Sequence, residues 1–202
     1  MWKRLFGGQS EGTDQGVDGE LIIAQLNARV QPMDRYDHYE EPLGTVLADN
    51  AAGEVTGGGT QLTDEPDGIA YCDLEIVVPE ASMVTIKLII DTLEGIGAPK
   101  GSLLKFTDGR NDIPFGQNEG MAVFINGTEL PDEVYETSDV NEVISKVDEA
   151  IDGIGGFQGY WEGSTETGLY FYGTSFTEMQ ARSAAFIASY PLCQKARIVQ
   201  IA

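Results

Sequence analysis

Alternation of apolar and polar residues predicts strands in the first half of the chain. Between Ile69 and Val78, every second residue from Ala70 onward is apolar, whereas Asp73 and Glu75 fall on the opposite face. Side chains alternate with period two along a strand, so this stretch predicts a strand with one buried face. Further strands are predicted at 20–30, 54–62 and 102–106.

Helical spacing is clearest in the second half. Apolar residues recur at helical intervals from Val140 to Ile151, and Asp139 with Glu142 three residues later resembles a capping box. Ser175 and Glu178 form a second such box, opening a helix that is predicted to run to Tyr190. In the first half, a helix is predicted from 79 to 94, before a glycine.

The order of these elements predicts the fold class. Second-half strands are predicted at 121–125, 157–162, 169–173 and 197–201, which gives the order βαββαβ. The first half has the same order if the residues from Gln31 to Gly53 are irregular. We therefore expect an α+β protein made of two tandem ferredoxin-like halves with antiparallel sheets, the first half lacking its first helix.

Composition divides the chain into four regions. Residues 1–19 are predicted to be a flexible, acidic, Gly-rich leader, 20–107 the first half, 108–120 a linker and 121–202 the second half. The leader begins with Trp2–Phe6, which is either a frayed terminus or a weak tether to a membrane or a partner. Its apolar stretch is too short for a signal peptide, so a cytoplasmic location is expected. Cys72 and Cys193 are accordingly expected to be buried thiols.

The charge balance restricts the partners. Twelve Lys and Arg against 33 Asp and Glu give a formal charge of −21 over 202 residues. Such a chain repels phosphate backbones and anionic membranes, so nucleic acid is not expected as a partner. No apolar run is long enough to span a bilayer. The expected partner is a basic or neutral protein, and the sequence leaves the oligomeric state open.

One segment concentrates candidate chemistry. Asp34 to Glu41 lies between two prolines and contains the only histidine of the chain. On a helix, Asp34, Asp37, His38 and Glu41 would share a face, where they could hold a metal or orient His38 as a base. The other interpretation is a solvated acidic turn whose tyrosines pack inward. The predicted partner-binding residues in this segment are Asp34, Tyr36, Asp37, His38, Tyr39, Glu40 and Glu41.

Aromatic residues form the second candidate surface. In the predicted hairpin of the second half, Tyr170 and Tyr172 share a face opposite Leu169 and Phe171. One of these two faces is expected in the core, and the other is free to contact a partner or the other half. Tyr160, Tyr170 and Tyr172 are therefore predicted as partner-binding residues.

These observations favour a binding protein. The chain has no distinctive Ser/His/Asp or Cys/His set, no metal-ligand spacing and no cofactor loop, so no catalytic residue, metal or cofactor is predicted. The triple glycine at 57–59 lacks a phosphate-binding lysine and predicts a bulge. We expect a cytoplasmic protein-binding module of the inhibitor or immunity type, which covers a basic partner. The alternative is a small-molecule- or metal-binding enzyme that uses the Asp34–Glu41 segment.

Overall fold

The protein is α+β, with two antiparallel sheets and helices packed against them. The computed structural model describes residues 19–65 and 67–202, where nine strands form one five-stranded and one four-stranded sheet. The predicted α+β class is thus confirmed. The predicted leader, including Trp2–Phe6, lies outside the described residues up to residue 18.

The first sheet and its helices come from the first half of the chain. Its strands are β1 (Glu20–Leu26), β2 (Glu54–Leu62), β3 (Ile69–Val78), β4 (Ser102–Phe106) and β5 (Ile113–Phe115). Across the sheet they follow the order β2-β3-β1-β4-β5, and all neighbours are antiparallel. The helices are α1 (Pro32–Arg35), a π-helical turn (Tyr36–Glu40), α2 (Glu41–Asp49) and α3 (Met83–Gly95).

The second sheet follows in the same way. Its strands are β6 (Glu119–Asn126), β7 (Gly155–Glu162), β8 (Glu166–Gly173) and β9 (Arg197–Gln200), in the antiparallel order β7-β8-β6-β9. The helices of this half are α4 (Asp132–Thr137), α5 (Val140–Ala150) and α6 (Phe176–Ser189), followed by a 3₁₀ turn (Pro191–Cys193). Among the described residues, no helix is long and apolar enough to cross a bilayer.

The clearest sequence patterns correspond to the elements they predicted. In β3, Cys72, Leu74 and Ile76 are fully buried, whereas Glu75 is exposed on the other face. The Asp139 side chain accepts a hydrogen bond from Asn141 N at 2.8 Å and caps α5. Ser175 Oγ accepts one from Glu178 N at 3.3 Å and caps α6. Because side-chain caps satisfy otherwise unpaired amides, each helix begins at its cap.

The connection predicted to be irregular is helical, so the expectation that the first half lacks its first helix is wrong. Helical structure runs from Pro32 to Asp49. Pro32 and Pro42 occupy the first turns of α1 and α2, where a missing amide hydrogen costs little. Leu43 and Leu47, four residues apart, are fully buried and attach α2 to the core.

Two short elements and one boundary also differ from the sequence predictions. β5 lies inside the predicted linker and pairs with β4, and α4 was not predicted. α3 begins at Met83 rather than near 79, because Ser82 Oγ accepts a hydrogen bond from Thr85 N at 3.2 Å and caps the helix there. Short elements carry too few periods of a pattern to be recognised in sequence.

The two sheets share a core. One face of the second sheet, with Val123 and Phe171, packs on α5 and α6. Its other face, with Phe124, Tyr170 and Tyr172, joins the core that contains β1, β3 and the first-half helices. The second sheet is therefore covered on both faces, once by its own helices and once by the first half of the chain.

Candidate functional site

The Asp34–Glu41 segment lies where the two halves meet. α1 is the next element after β1, and its Asp34 lies beside Gly159 of β7, an edge strand of the second sheet. The Tyr39 hydroxyl donates to Gln158 Oε1 at 2.9 Å, and Gln31 Nε2 donates to the Tyr160 carbonyl at 2.8 Å. The structure thus brings the first predicted segment next to one member of the second predicted surface, Tyr160.

The π-helical turn divides the segment into an exposed part and a buried part. Glu41 N donates to Tyr36 O, five residues back, so the turn contains one residue more than a turn of α-helix. Tyr36 is 52% exposed and Asp37 and Glu41 are exposed, whereas Tyr39 is fully buried. Burial raises the pKa of Tyr39 well above its ordinary value. Tyr39 is therefore not a free contact residue, which corrects the prediction that included it.

Glu40 is also withdrawn from the surface. Its Oε1 lies 2.5 Å from Arg35 Nε, and only 14% of its side chain is exposed. Arg35 Nη1 donates to Thr60 Oγ1 at 2.9 Å, which ties the segment to β2. A Cβ at Gly58 would lie 2.9 Å from Arg35 Nε and 2.4 Å from the Asp73 carbonyl oxygen. This close approach explains why residue 58 is a glycine. The pairing of β2 with β3 shifts register between Val55 and Gly57, at the start of the triple glycine for which a bulge was predicted.

The segment does not assemble a metal site. In residues 19–65 and 67–202, no group of three or more His, Cys, Asp or Glu side chains could hold a metal ion. His38 is half-buried, and its ring meets the Tyr39 ring edge-on with 6.3 Å between centroids. Asp34 is half-buried too, and desolvation raises the pKa of its carboxyl. The geometry therefore gives no support to the metal-binding alternative.

Tyr170 and Tyr172 lie in the contact between the halves. Their side chains are at most 1% exposed. The Tyr172 hydroxyl accepts a hydrogen bond from Arg29 N at 2.7 Å, and the Tyr170 hydroxyl donates to Asp67 O at 2.8 Å. Burial raises the pKa of both hydroxyls. This aromatic face was expected to contact either a partner or the other half of the chain, and the other half covers it. The prediction that Tyr170 and Tyr172 bind a partner is therefore corrected.

Tyr160 remains accessible and opens onto a cavity that sequence reasoning missed. The cavity has a volume of about 460 Å³ and lies between the second sheet and the helices α4 and α5. Tyr160 is 45% exposed and lines it together with Tyr135, Ile144, Leu169 and Glu162. One wall of the cavity comes from α4, which was not predicted. The sequence does signal the start of this helix, because Pro131 is followed by two acidic residues, a combination typical of a helix N-terminus.

Among the described residues, nearly all cationic side chains are ion-paired, whereas most carboxylates are not. Within this part of the chain, every lysine and arginine except Lys105 lies within 4.0 Å of a carboxylate. None of the described Asp and Glu residues is buried. Because acidic residues far outnumber basic ones, most described carboxylates have no cationic partner, and the surface is strongly negative.

No protein-family model matches the chain, and no curated protein is significantly similar to it. The proposed function below is therefore argued from the geometry and charge of the described residues.

Proposed function

We propose that the protein is an acidic binding module, of the inhibitor or immunity type, that covers a basic partner protein. The observation that carries the proposal is the uncompensated negative surface: the described cations except Lys105 already lie beside carboxylates, while most described carboxylates have no cation beside them. A field of one sign accelerates association with a partner of the other sign and disfavours partners of the same sign. The same field argues against nucleic acid as the partner.

The exposed side of the Asp34–Glu41 segment supports a contact surface within that field. Met33 is 79% and Tyr36 52% exposed, and Asp37 and Glu41 are exposed beside them. Aromatic and Met side chains supply contact area at protein interfaces, while carboxylates steer the approach. The backbone beneath them is held by the contacts of Tyr39 and Glu40, so the surface is formed before binding.

The proposal includes the architecture and the setting of the module. We infer that both halves are ferredoxin-like and arose by tandem duplication, since the first four strands of each half lie in the order 2-3-1-4 and a helix follows the first and the third. We also infer a cytoplasmic location. The free thiols of Cys72 and Cys193 are compatible with a reducing compartment.

The test begins with affinity capture from an extract of the native cells at low ionic strength, followed by elution with increasing salt. Captured proteins are identified, and their association rates are then measured with the wild type and with an Asp37→Lys, Glu41→Lys double variant. The control is Glu80→Lys, Asp112→Lys, which changes the net charge equally. Ala81 N and Arg110 Nη2 both donate to the Glu20 carboxylate, at the end of β1 opposite α1. Glu80 precedes Ala81 and Asp112 follows Arg110 by two residues, so both exposed control positions lie away from the segment.

We expect the double variant to associate at least about tenfold more slowly than the control, because steering depends on charges close to the contact. Both variants should keep the free energy of unfolding in urea within about 0.5 kcal/mol of the wild type, since exposed charges contribute little to stability. Equal rates for the two variants would place the contact elsewhere. Recovery of no salt-sensitive protein partner would refute the proposed function itself.

A further inference from the structure

The cavity behind Tyr160 has the chemistry of a site for a long cationic side chain. We propose that it accepts an arginine of the basic partner, an inference that rests on the proposed function. The cavity measures about 460 Å³, within the range typical of pockets for small organic groups. An arginine side chain with part of its backbone would fit in this volume.

The walls favour an aliphatic stem. Ile125, Val140, Ile144 and Leu169 line the cavity from β6, α5 and β8. Arg and Lys side chains bury their methylene groups against such surfaces while the charged end stays near polar groups. Val140 and Ile144 are only half-buried, and a methylene stem that displaces water from their side chains lowers the free energy.

The aromatic lining favours a planar cation. Tyr135 and Tyr160 both line the cavity. The Tyr135 hydroxyl lies 3.0 Å from Leu130 N and 3.3 Å from Asn126 O, which fixes its ring, whereas the Tyr160 ring is 45% exposed at the opening. A guanidinium group stacks on aromatic faces and is more weakly hydrated than an ammonium group. These properties favour arginine over lysine.

A free carboxylate completes the site. Glu162 is the one charged side chain among the described residues that line the cavity, and it forms no ion pair within the described part of the chain. It follows Tyr160 by two residues on β7, so both side chains project from the same face of the sheet. The carboxylate can accept two parallel hydrogen bonds from a guanidinium group, a geometry that lysine cannot supply.

The surroundings raise the local negative potential further. Asp132, Glu133 and Glu136 are exposed on α4, and Glu142 is exposed on α5, the two helices that border the cavity. Anionic ligands are disfavoured there, and neutral ligands gain nothing from the field. The cavity therefore discriminates by charge as well as by shape.

The test uses a small probe in place of the partner. Nα-acetyl-L-arginine amide is titrated into ¹⁵N-labelled protein, and the amide signals of Gly127, Asn141 and Thr167, which line the cavity, are followed. Nα-acetyl-L-citrulline amide, of the same shape without the charge, is the ligand control. The variants are Glu162→Gln and, as a matched control outside the cavity lining, Asp152→Asn, which changes an exposed carboxylate beyond the far end of α5.

We expect the arginine probe to bind with a Kd on the order of 1 mM, as a ligand of this size allows. The citrulline probe should bind about tenfold more weakly, and Glu162→Gln should remove that difference while Asp152→Asn preserves it. Unchanged cavity signals, equal binding of both probes, or an unaltered preference in Glu162→Gln would each overturn the assignment. The titration needs no partner protein, so its result is independent of the capture experiment. A negative titration would refute the arginine site alone, and a negative capture experiment would refute the proposed function alone.

Discussion

Replacing Tyr172 with Phe isolates one hydrogen bond between the two halves. The Tyr172 hydroxyl lies 2.7 Å from Arg29 N, and the ring is 1% exposed. Phe keeps the buried ring and removes only the acceptor, so the part-buried Arg29 amide loses its partner beside that ring. Leaving a buried donor unpaired costs about 1–3 kcal/mol, and we expect about 2 kcal/mol of the free energy of unfolding to be lost.

The measurement is equilibrium unfolding in urea, followed by far-UV circular dichroism and by tryptophan fluorescence. For a protein of this size, about 2 kcal/mol corresponds to roughly 4–8 °C in Tm. The matched control is Tyr71→Phe: the Tyr71 side chain is half-buried on β3 and makes no hydrogen bond within the described residues, so a change under about 0.5 kcal/mol is expected. If Tyr172→Phe is as stable as this control, the hydroxyl adds nothing to the contact between the halves, and the argument from this hydrogen bond fails.

Two further predictions concern burial at other positions. Burial raises the pKa of Cys72 from 9.0 to about 12 and that of Cys193 to about 11. The unfolded chain therefore releases these protons at lower pH than the folded protein. The stability that is fully present below about pH 9 should fall, by roughly 1 kcal/mol per pH unit per thiol, until the pH reaches the folded pKa of each thiol. A series of urea midpoints that stays flat to about pH 11 would contradict this. Gly68 has φ +66° and a Cβ there would lie 2.3 Å from the Trp161 ring, so Gly68→Ala should cost about 2–4 kcal/mol of unfolding free energy. Gly153→Ala, with φ +77° in open space, should cost only about 1 kcal/mol, and equal losses in thermal unfolding would show that the ring is not the cause.

The strands and helices with regular patterns could be predicted from sequence because one face of each is buried. β3 alternates over its whole length, and the α5 stripe places Val143 and Val147 in the core. The region 32–49 could not be predicted in this way. Its two prolines resemble boundaries, and the π-helical turn interrupts the 3.6-residue period on which helix recognition depends.

In the candidate site, the exposure of a residue could be predicted only where it depends on neighbouring residues in the sequence. The exposed Tyr36, Asp37 and Glu41 follow from a polar segment on the surface. The burial of Tyr39, Tyr170 and Tyr172 depends on contacts between residues more than a hundred positions apart, such as Tyr39 with Gln158. Alternation along a strand assigns residues to two faces, but it does not reveal what covers each face.

The covering of β8 on both faces determines how this strand can change over evolutionary time. From Gly168 to Gly173 no position faces water. A substitution at an odd-numbered residue such as Leu169 must suit the helices α5 and α6, and one at Tyr170 or Tyr172 must suit the first half of the chain. Selection therefore acts on consecutive residues of β8 rather than on every second one, so the two halves are constrained to evolve together along this strand.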